Sequence, residues 1–236
     1  MGGVVSPLLA NIYAHYVIDL WVNQWRKKEA RGEVFIVRYA DDEVLGFEIR
    51  ADAERCLDGL RERLRKFSLE LHPDKTRLIE FGKRASRNRQ RRGVGKPETF
   101  DLLGFTHICA KNRKGRFQLL RRTIAKRMRA KLSSIRVETK RKRHLSVPEQ
   151  GRWLGAVVRG HTNYYAVPLN GDMAARFRTE CIKHWWRALK QRSHKSTITW
   201  DRMNRIAKRW LPPARVCHPW PDKRFDVTTR GRSPVR

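Results

Sequence analysis

Tyr39-Ala40-Asp41-Asp42 constrains this chain more than any other feature. It sits between two apolar, β-branched runs, Val34-Phe35-Ile36-Val37-Arg38 and Val44-Leu45-Gly46-Phe47-Glu48-Ile49. Such runs favour strands, whereas Asp-Asp is poor strand material, so the acids belong at the tip of a hairpin. Two carboxylates raised to solvent on that tip offer hard oxygen ligands for Mg²⁺. Phosphoryl transfer by two metal ions needs carboxylates gathered around cations roughly 3.5–4 Å apart. A bare Asp-Asp pair is commonly a solvated turn; the flanking strands and the preceding Tyr give this one its weight.

Charge supplies the second constraint. The 236 residues carry 54 Lys and Arg against 23 Asp and Glu, a net charge of +31. Residues 1–81 are near neutral, with 13 basic and 14 acidic side chains, so almost all the excess lies in residues 82–236. A polyanionic partner follows, with binding that weakens steeply as salt rises. No apolar run approaches the ~18–20 residues of a membrane span, and no secretory leader is visible, so no membrane partner is expected. Eight Trp and five Tyr among the arginines favour nucleic acid, where bases stack on rings and guanidinium planes. Cys56, Cys109, Cys181 and Cys217 are widely spaced, which removes a zinc ribbon and a disulfide framework. A reduced, cytoplasmic chain is the expectation. His161-Thr162-Asn163 resembles fragments of nuclease motifs but lacks accompanying metal ligands.

Periodicity divides the chain. Ser6 as N-cap and Pro7 at the first helical position open a buried helix over about 7–26. After the hairpin, Ala53, Leu57, Leu60, Leu64 and Phe67 mark one helix face, and Thr76–Phe81 reads as a short strand. Residues 1–81 thus form an α+β unit. Residues 82–97 hold seven Lys and Arg and no acid, the pattern of a mobile basic linker. Thr99–Phe105 and Arg116–Leu120 flank a Lys-Asn-Arg-Lys-Gly turn as a second hairpin within 98–120. Beyond Arg121 the pattern is helical. Ile124, Met128, Leu132 and Ile135 form one stripe, Ser146-Val147-Pro148-Glu149 is a capping box, and Phe177, Cys181, Trp185 and Leu189 form another stripe. A last stripe, Trp200, Met203, Ile206 and Trp210, ends at Pro212-Pro213, and a basic tail fills 214–236.

Four ordered segments carry a family resemblance: Gly2-Gly3-Val4-Val5-Ser6-Pro7-Leu8-Leu9-Ala10-Asn11-Ile12-Tyr13, Arg38-Tyr39-Ala40-Asp41-Asp42, Leu71-His72-Pro73-Asp74-Lys75-Thr76 and Leu102-Leu103-Gly104-Phe105. They resemble the later palm motifs of bacterial group II intron-encoded reverse transcriptases. The stretch from Gly151-Arg152-Trp153 to Arg159-Gly160-His161-Thr162-Asn163-Tyr164-Tyr165 resembles the maturase region, domain X, of the same proteins. The resemblance implies an α+β fold: a partial polymerase palm followed by a mostly helical, basic thumb and maturase domain over 121–213. It implies Asp41 and Asp42 as catalytic Mg²⁺ ligands and Lys75 as a catalytic group near the triphosphate of a dNTP. Gly2, Gly3 and Tyr39, with a primer grip of Leu103, Gly104 and Phe105, would meet an RNA/DNA primer-template. Arg121, Arg122, Lys126, Arg127, Arg129, Lys131, Arg152 and Arg159 would grip the intron RNA.

The chain departs from the family pattern in two places. Met1 stands where the family has a Gln, after fingers and a first palm strand that supply another essential Asp. The expectation is therefore an N-terminally truncated polymerase, inactive alone, whose partner is a missing N-terminal half. Its hairpin would be left with an open sheet edge and an uncovered apolar face. Glu43 follows the two Asp where the family places a bulky apolar residue, and strand alternation would crowd it against Asp41. The Cys-pair and His-Asn constellation of a DNA endonuclease is missing from the C-terminal residues. The alternative function is a non-enzymatic intron-RNA binding and splicing factor with a vestigial palm; a generic basic nucleic-acid binder fits the ordered motifs poorly. No residue pattern indicates an oligomeric state.

Overall fold

The computed structural model describes residues 5–193, 197–221 and 223, and the chain divides into two compact units, Met1–Glu80 and Phe81–Arg236. The architecture is mixed α+β: short antiparallel strands come first and helices follow.

In the first unit a long helical rod runs as α1 (Ser6–Ala14), a π-helical turn (His15–Asp19) and α2 (Leu20–Lys28). Pro7 lies in its first turn as expected, but Ser6 is already helical and makes no cap. The widened turn leaves carbonyls that look outward, and Arg63 donates to those of Val17 (3.2 Å) and Tyr16 (3.5 Å). Strands β1 (Val34–Tyr39) and β2 (Asp42–Phe47) pair antiparallel from Val34↔Phe47 to Tyr39↔Asp42. The helix α3 (Arg50–Arg65) buries Ala53, Cys56, Leu60 and Leu64. Leu60 and Leu64 meet Val17, Trp21 and Leu45 in a small core. Asp52, on the same helix, is also buried. Desolvation pushes its carboxyl up, but the amides of Gly32 and Arg31 and the Arg55 guanidinium outweigh that and hold it below the usual range.

Two expectations fail in this unit. The first helix is not buried: α1 has no buried residue, and Leu8, Leu9, Ile12 and Tyr13 face solvent. Residues 76–80 form no strand, because no partner strand lies beside them among the described residues. The open sheet is as anticipated. It has only two strands, and Phe35, Val37 and Tyr39 project from its uncovered face.

The second unit opens with a helix inside the basic 82–97 segment, α4 (Ala85–Arg91), where a mobile linker was expected. Ala85 is buried and the Gly82 amide donates to Cys109 Sγ at 3.3 Å, so hydrophobic contact outweighs the local charge repulsion. The expected second hairpin is a three-stranded meander: β3 (Phe100–Leu102), β4 (Phe105–Lys111) and β5 (Phe117–Thr123). Leu103 (φ 49°) and Gly104 (φ 82°) make the two-residue turn that separates β3 from β4. Four helices follow: α5 (Ala125–Arg141), α6 (Val147–Tyr165), α7 (Gly171–Lys190) and α8 (Trp200–Trp210). Ser146 and Glu149 close the capping box on α6. Met128, Ile135, Leu154, Val158, Phe177, Trp185 and Met203 form the shared core, the stripes that periodicity marks. Gly151 and Gly155 let α6 approach the end of α8, since a Cβ on either would strike the ring or the carbonyl of Trp210. Two buried amides stitch the unit: Gln150 accepts from Trp185 Nε1 (2.8 Å), and Asn170 joins Thr123 to the Tyr165 carbonyl. No helix among the described residues is long and apolar enough to cross a membrane. The four Cys are free thiols.

Candidate active site and nucleic-acid surface

The hairpin tip is built by Arg38. Its side chain points to the helical rod, because β1 alternates and Val34, Ile36 and Arg38 share the inner face. There the guanidinium forks onto Asp19, with Nε–Oδ1 at 2.7 Å and Nη2–Oδ2 at 2.8 Å. Nη1 donates to Asn11 Oδ1 (3.0 Å) and to the Ala40 carbonyl (3.1 Å). One side chain therefore ties the rod to the turn, and Ala40 is held at φ 56° despite its Cβ. The Arg38 bond, together with the His15 contact, holds the Asp19 carboxyl below its usual range. Asn11 and Asp19 were missed as site residues. Their signal is weak in sequence, since each pairs with a residue far along the chain.

Ala40 and Asp41 form the two-residue turn, and Asp42 opens β2; both acids are exposed. Tyr39, opposite Asp42, is 65% exposed on the uncovered sheet face. Glu43 does not crowd Asp41. The turn interrupts the strand alternation, so Glu43 falls opposite Arg38 on the inner face. Burial, reinforced by the charge of Asp19 and opposed by Arg38, pushes its carboxyl up to about 7. Its Oε1 is buried without a hydrogen-bond partner.

The donor set can be tested against Mg²⁺. Asp41 and Asp42 supply oxygen ligands of the right hardness. A two-metal centre needs more, and no group of three or more His, Cys, Asp or Glu able to hold a metal exists among the described residues. Glu43 is turned inward and cannot add to them as packed. The hairpin fits part of such a centre and not the whole.

The other expected site residues are placed as follows. Gly2 and Gly3 lie outside the described residues. Lys75 is exposed on the His72–Thr76 turn and joins no ion pair there. In the second unit the turn residues Leu103 and Gly104 are pinned by Tyr164 Oη on the Leu103 carbonyl (2.8 Å) and by the Ile124 amide on the Gly104 carbonyl (3.1 Å). Phe105 is buried against Tyr164 and Tyr165, so its ring serves packing. Arg121 and Arg122 belong to β5, not to a helix. Arg121 is half-buried and Arg122 pairs with Asp172. Lys126, Arg127, Arg129 and Lys131 on α5 and Arg152 and Arg159 on α6 are exposed and free of ion pairs, as a phosphate-binding surface requires.

A solvent-facing acidic hairpin packed on helices, followed by a cationic helical unit, defines a palm-like arrangement suited to nucleic acid. Residues 1–107 match the reverse transcriptase (RNA-dependent DNA polymerase) family, and a domain of that family is present there. The matched stretch takes in the whole first unit and ends within β4 of the second. Comparison with curated proteins finds no match.

Proposed function

We propose that this chain is the C-terminal part of a group II intron reverse transcriptase–maturase, contributing Asp41 and Asp42 to an RNA-directed DNA polymerase centre that uses Mg²⁺. The observation that carries the reading is the Arg38 clamp, which fixes an Asp-Asp turn toward solvent inside a reverse transcriptase domain. A further carboxylate from another polypeptide segment completes the metal site. Lys75 serves the incoming dNTP, Gly2, Gly3 and Tyr39 the primer-template, and Leu103-Gly104-Phe105 shapes the primer grip. The exposed cations of α5 and α6 hold intron RNA. Primer extension on an RNA template with Mg²⁺ tests this, with Asp41→Ala as the control. Extension lost in the variant supports the polymerase reading; extension that persists belongs to a contaminant.

The second reading is an RNA-binding splicing factor with an inactive palm. Glu43 favours it, because a half-buried, unpartnered carboxyl beside the acidic turn strains the hairpin that catalysis depends on. Tight, salt-sensitive binding of intron RNA without any extension selects this reading.

A further inference from the structure

A cavity of about 390 Å³ opens between α5 and α6 of the second unit, and none of the roles above uses it. Its lining joins three features. Arg127 and Lys131, four residues apart on α5, are exposed at one edge and neither is in an ion pair, so two uncompensated cations face the same opening. His161 is buried in the lining, and its Nε2 has no hydrogen-bond partner. The ring cannot turn that nitrogen to water freely, being stacked on Phe177 at 3.5 Å and 14° and tilted on Tyr165 at 4.5 Å. Burial, with the charge of Lys131, lowers its pKa to about 4, so the imidazole is neutral at physiological pH and Nε2 can donate or accept.

Gly160 is the third feature. A Cβ there meets nothing within 4 Å, so packing does not require the glycine. Glycine inside a helix is otherwise unfavourable relative to alanine. What Gly160 leaves is open space in the cavity wall.

Two cations at the edge, an aromatic and aliphatic wall and one unmatched polar atom inside describe a receptor for an anion that carries a planar polar ring. We propose that this cavity receives a single unstacked nucleotide of a structured RNA, its phosphate on Arg127 and Lys131 and its base edge on Nε2 of His161. The size suits one small-molecule-sized group and excludes a duplex. Unpaired, splayed bases are also where proteins read RNA most specifically. The inference rests on the RNA-binding reading of the second unit and adds to it a site that reads a base.

The test uses the full chain and RNA hairpins of identical stem, one fully paired and four with a single bulged nucleotide, one for each base. At least one bulged hairpin is expected to bind ~10-fold tighter than the paired one, within what a stacked base contributes. Gly160→Leu, which fills the cavity without displacing a neighbour at Cβ, should abolish that preference while leaving affinity for the paired hairpin and the melting temperature intact. His161→Phe, which keeps the stacked ring and removes Nε2, should reduce the preference and change which base is favoured. Equal binding of paired and bulged hairpins, or a preference that survives Gly160→Leu, overturns the cavity assignment and leaves RNA binding standing. Binding to no hairpin overturns both. A free nucleoside monophosphate that binds as tightly as the best bulged hairpin overturns the RNA part and makes a soluble nucleotide the occupant.

Discussion

Replacing Glu43 with Gln is the sharpest test of how the acidic hairpin is held. The side chain is half-buried on the inner sheet face, one of its oxygens lacks a partner, and its carboxyl titrates at about 7 instead of the usual 4.5. Because the folded value lies above the unfolded one, the unfolded chain loses the proton first as pH rises. The stability that a protonated Glu43 permits is complete below about 4.5 and is lost as pH climbs through about 7. At 1.36 kcal/mol per unit, and allowing for water that still reaches the group, the ionised carboxylate costs the folded state about 2–3 kcal/mol above pH 8. Glu43→Gln keeps the shape and removes the ionisation. It should stabilise the hairpin by about 2 kcal/mol at pH 8 and change little at pH 4.5. Hydrogen–deuterium exchange of the Val34–Phe47 amides, corrected for intrinsic rates, reads this locally, and urea unfolding at both pH values reads it globally. A gain of equal size at both pH values would show that shape, not charge, is responsible. No gain at pH 8 would refute the desolvation argument.

Three further outcomes follow from the packing. Arg38→Ala should loosen the turn at Ala40-Asp41 and cost about 1–2 kcal/mol, since it leaves Asp19 and Glu43 without their cation; exchange at the turn amides measures it, and unchanged protection would dismiss the clamp. Gly155→Ala should destabilise the second unit by about 1–3 kcal/mol, because the new methyl meets the Trp210 carbonyl; thermal denaturation checks it, with Gly160→Ala as the neutral control on the same helix. Binding of the full chain to structured RNA should fall steeply between 50 and 200 mM salt, by up to about 10³-fold or more if six cations each release a counterion. Substituting Lys131 should flatten that slope by about one unit, whereas substituting Arg122, committed to Asp172, should change it less.

The parts legible in sequence are those with local causes. The strand runs and the Asp-Asp turn place the hairpin, the apolar stripes place α3 and α5–α8, and the Ser146 capping box places the start of α6. What escaped depends on neighbours distant in the chain. Leu103 occupies a left-handed turn position that Leu rarely takes, so nothing local announced the break between β3 and β4. The helix at Ala85–Arg91 hides in a run of like charges. Residues 76–80 have strand composition, yet composition cannot provide a partner. Period-two reasoning misplaced Glu43, because it was carried through a turn at which the pleat restarts. Asp19 and Asn11 could have been suspected only by asking what the arginine before the acidic tetrad would neutralise. The Gly151 and Gly155 spacing was visible and signalled a close helix crossing.

The π-helical turn at His15–Asp19 gives the rod a built-in change of phase. Each α-helical residue rotates the chain by about 100°, and a π turn holds one residue more than the α turn it replaces. The segment before it is thereby aimed at the hairpin tip through Asn11, and the segment after it at the body of the hairpin through Trp25 and Phe47. A homologue shorter by one residue in this stretch would lose that gearing. Its second half would swing a quarter turn or more, and the acidic turn would no longer be indexed to the rod behind it.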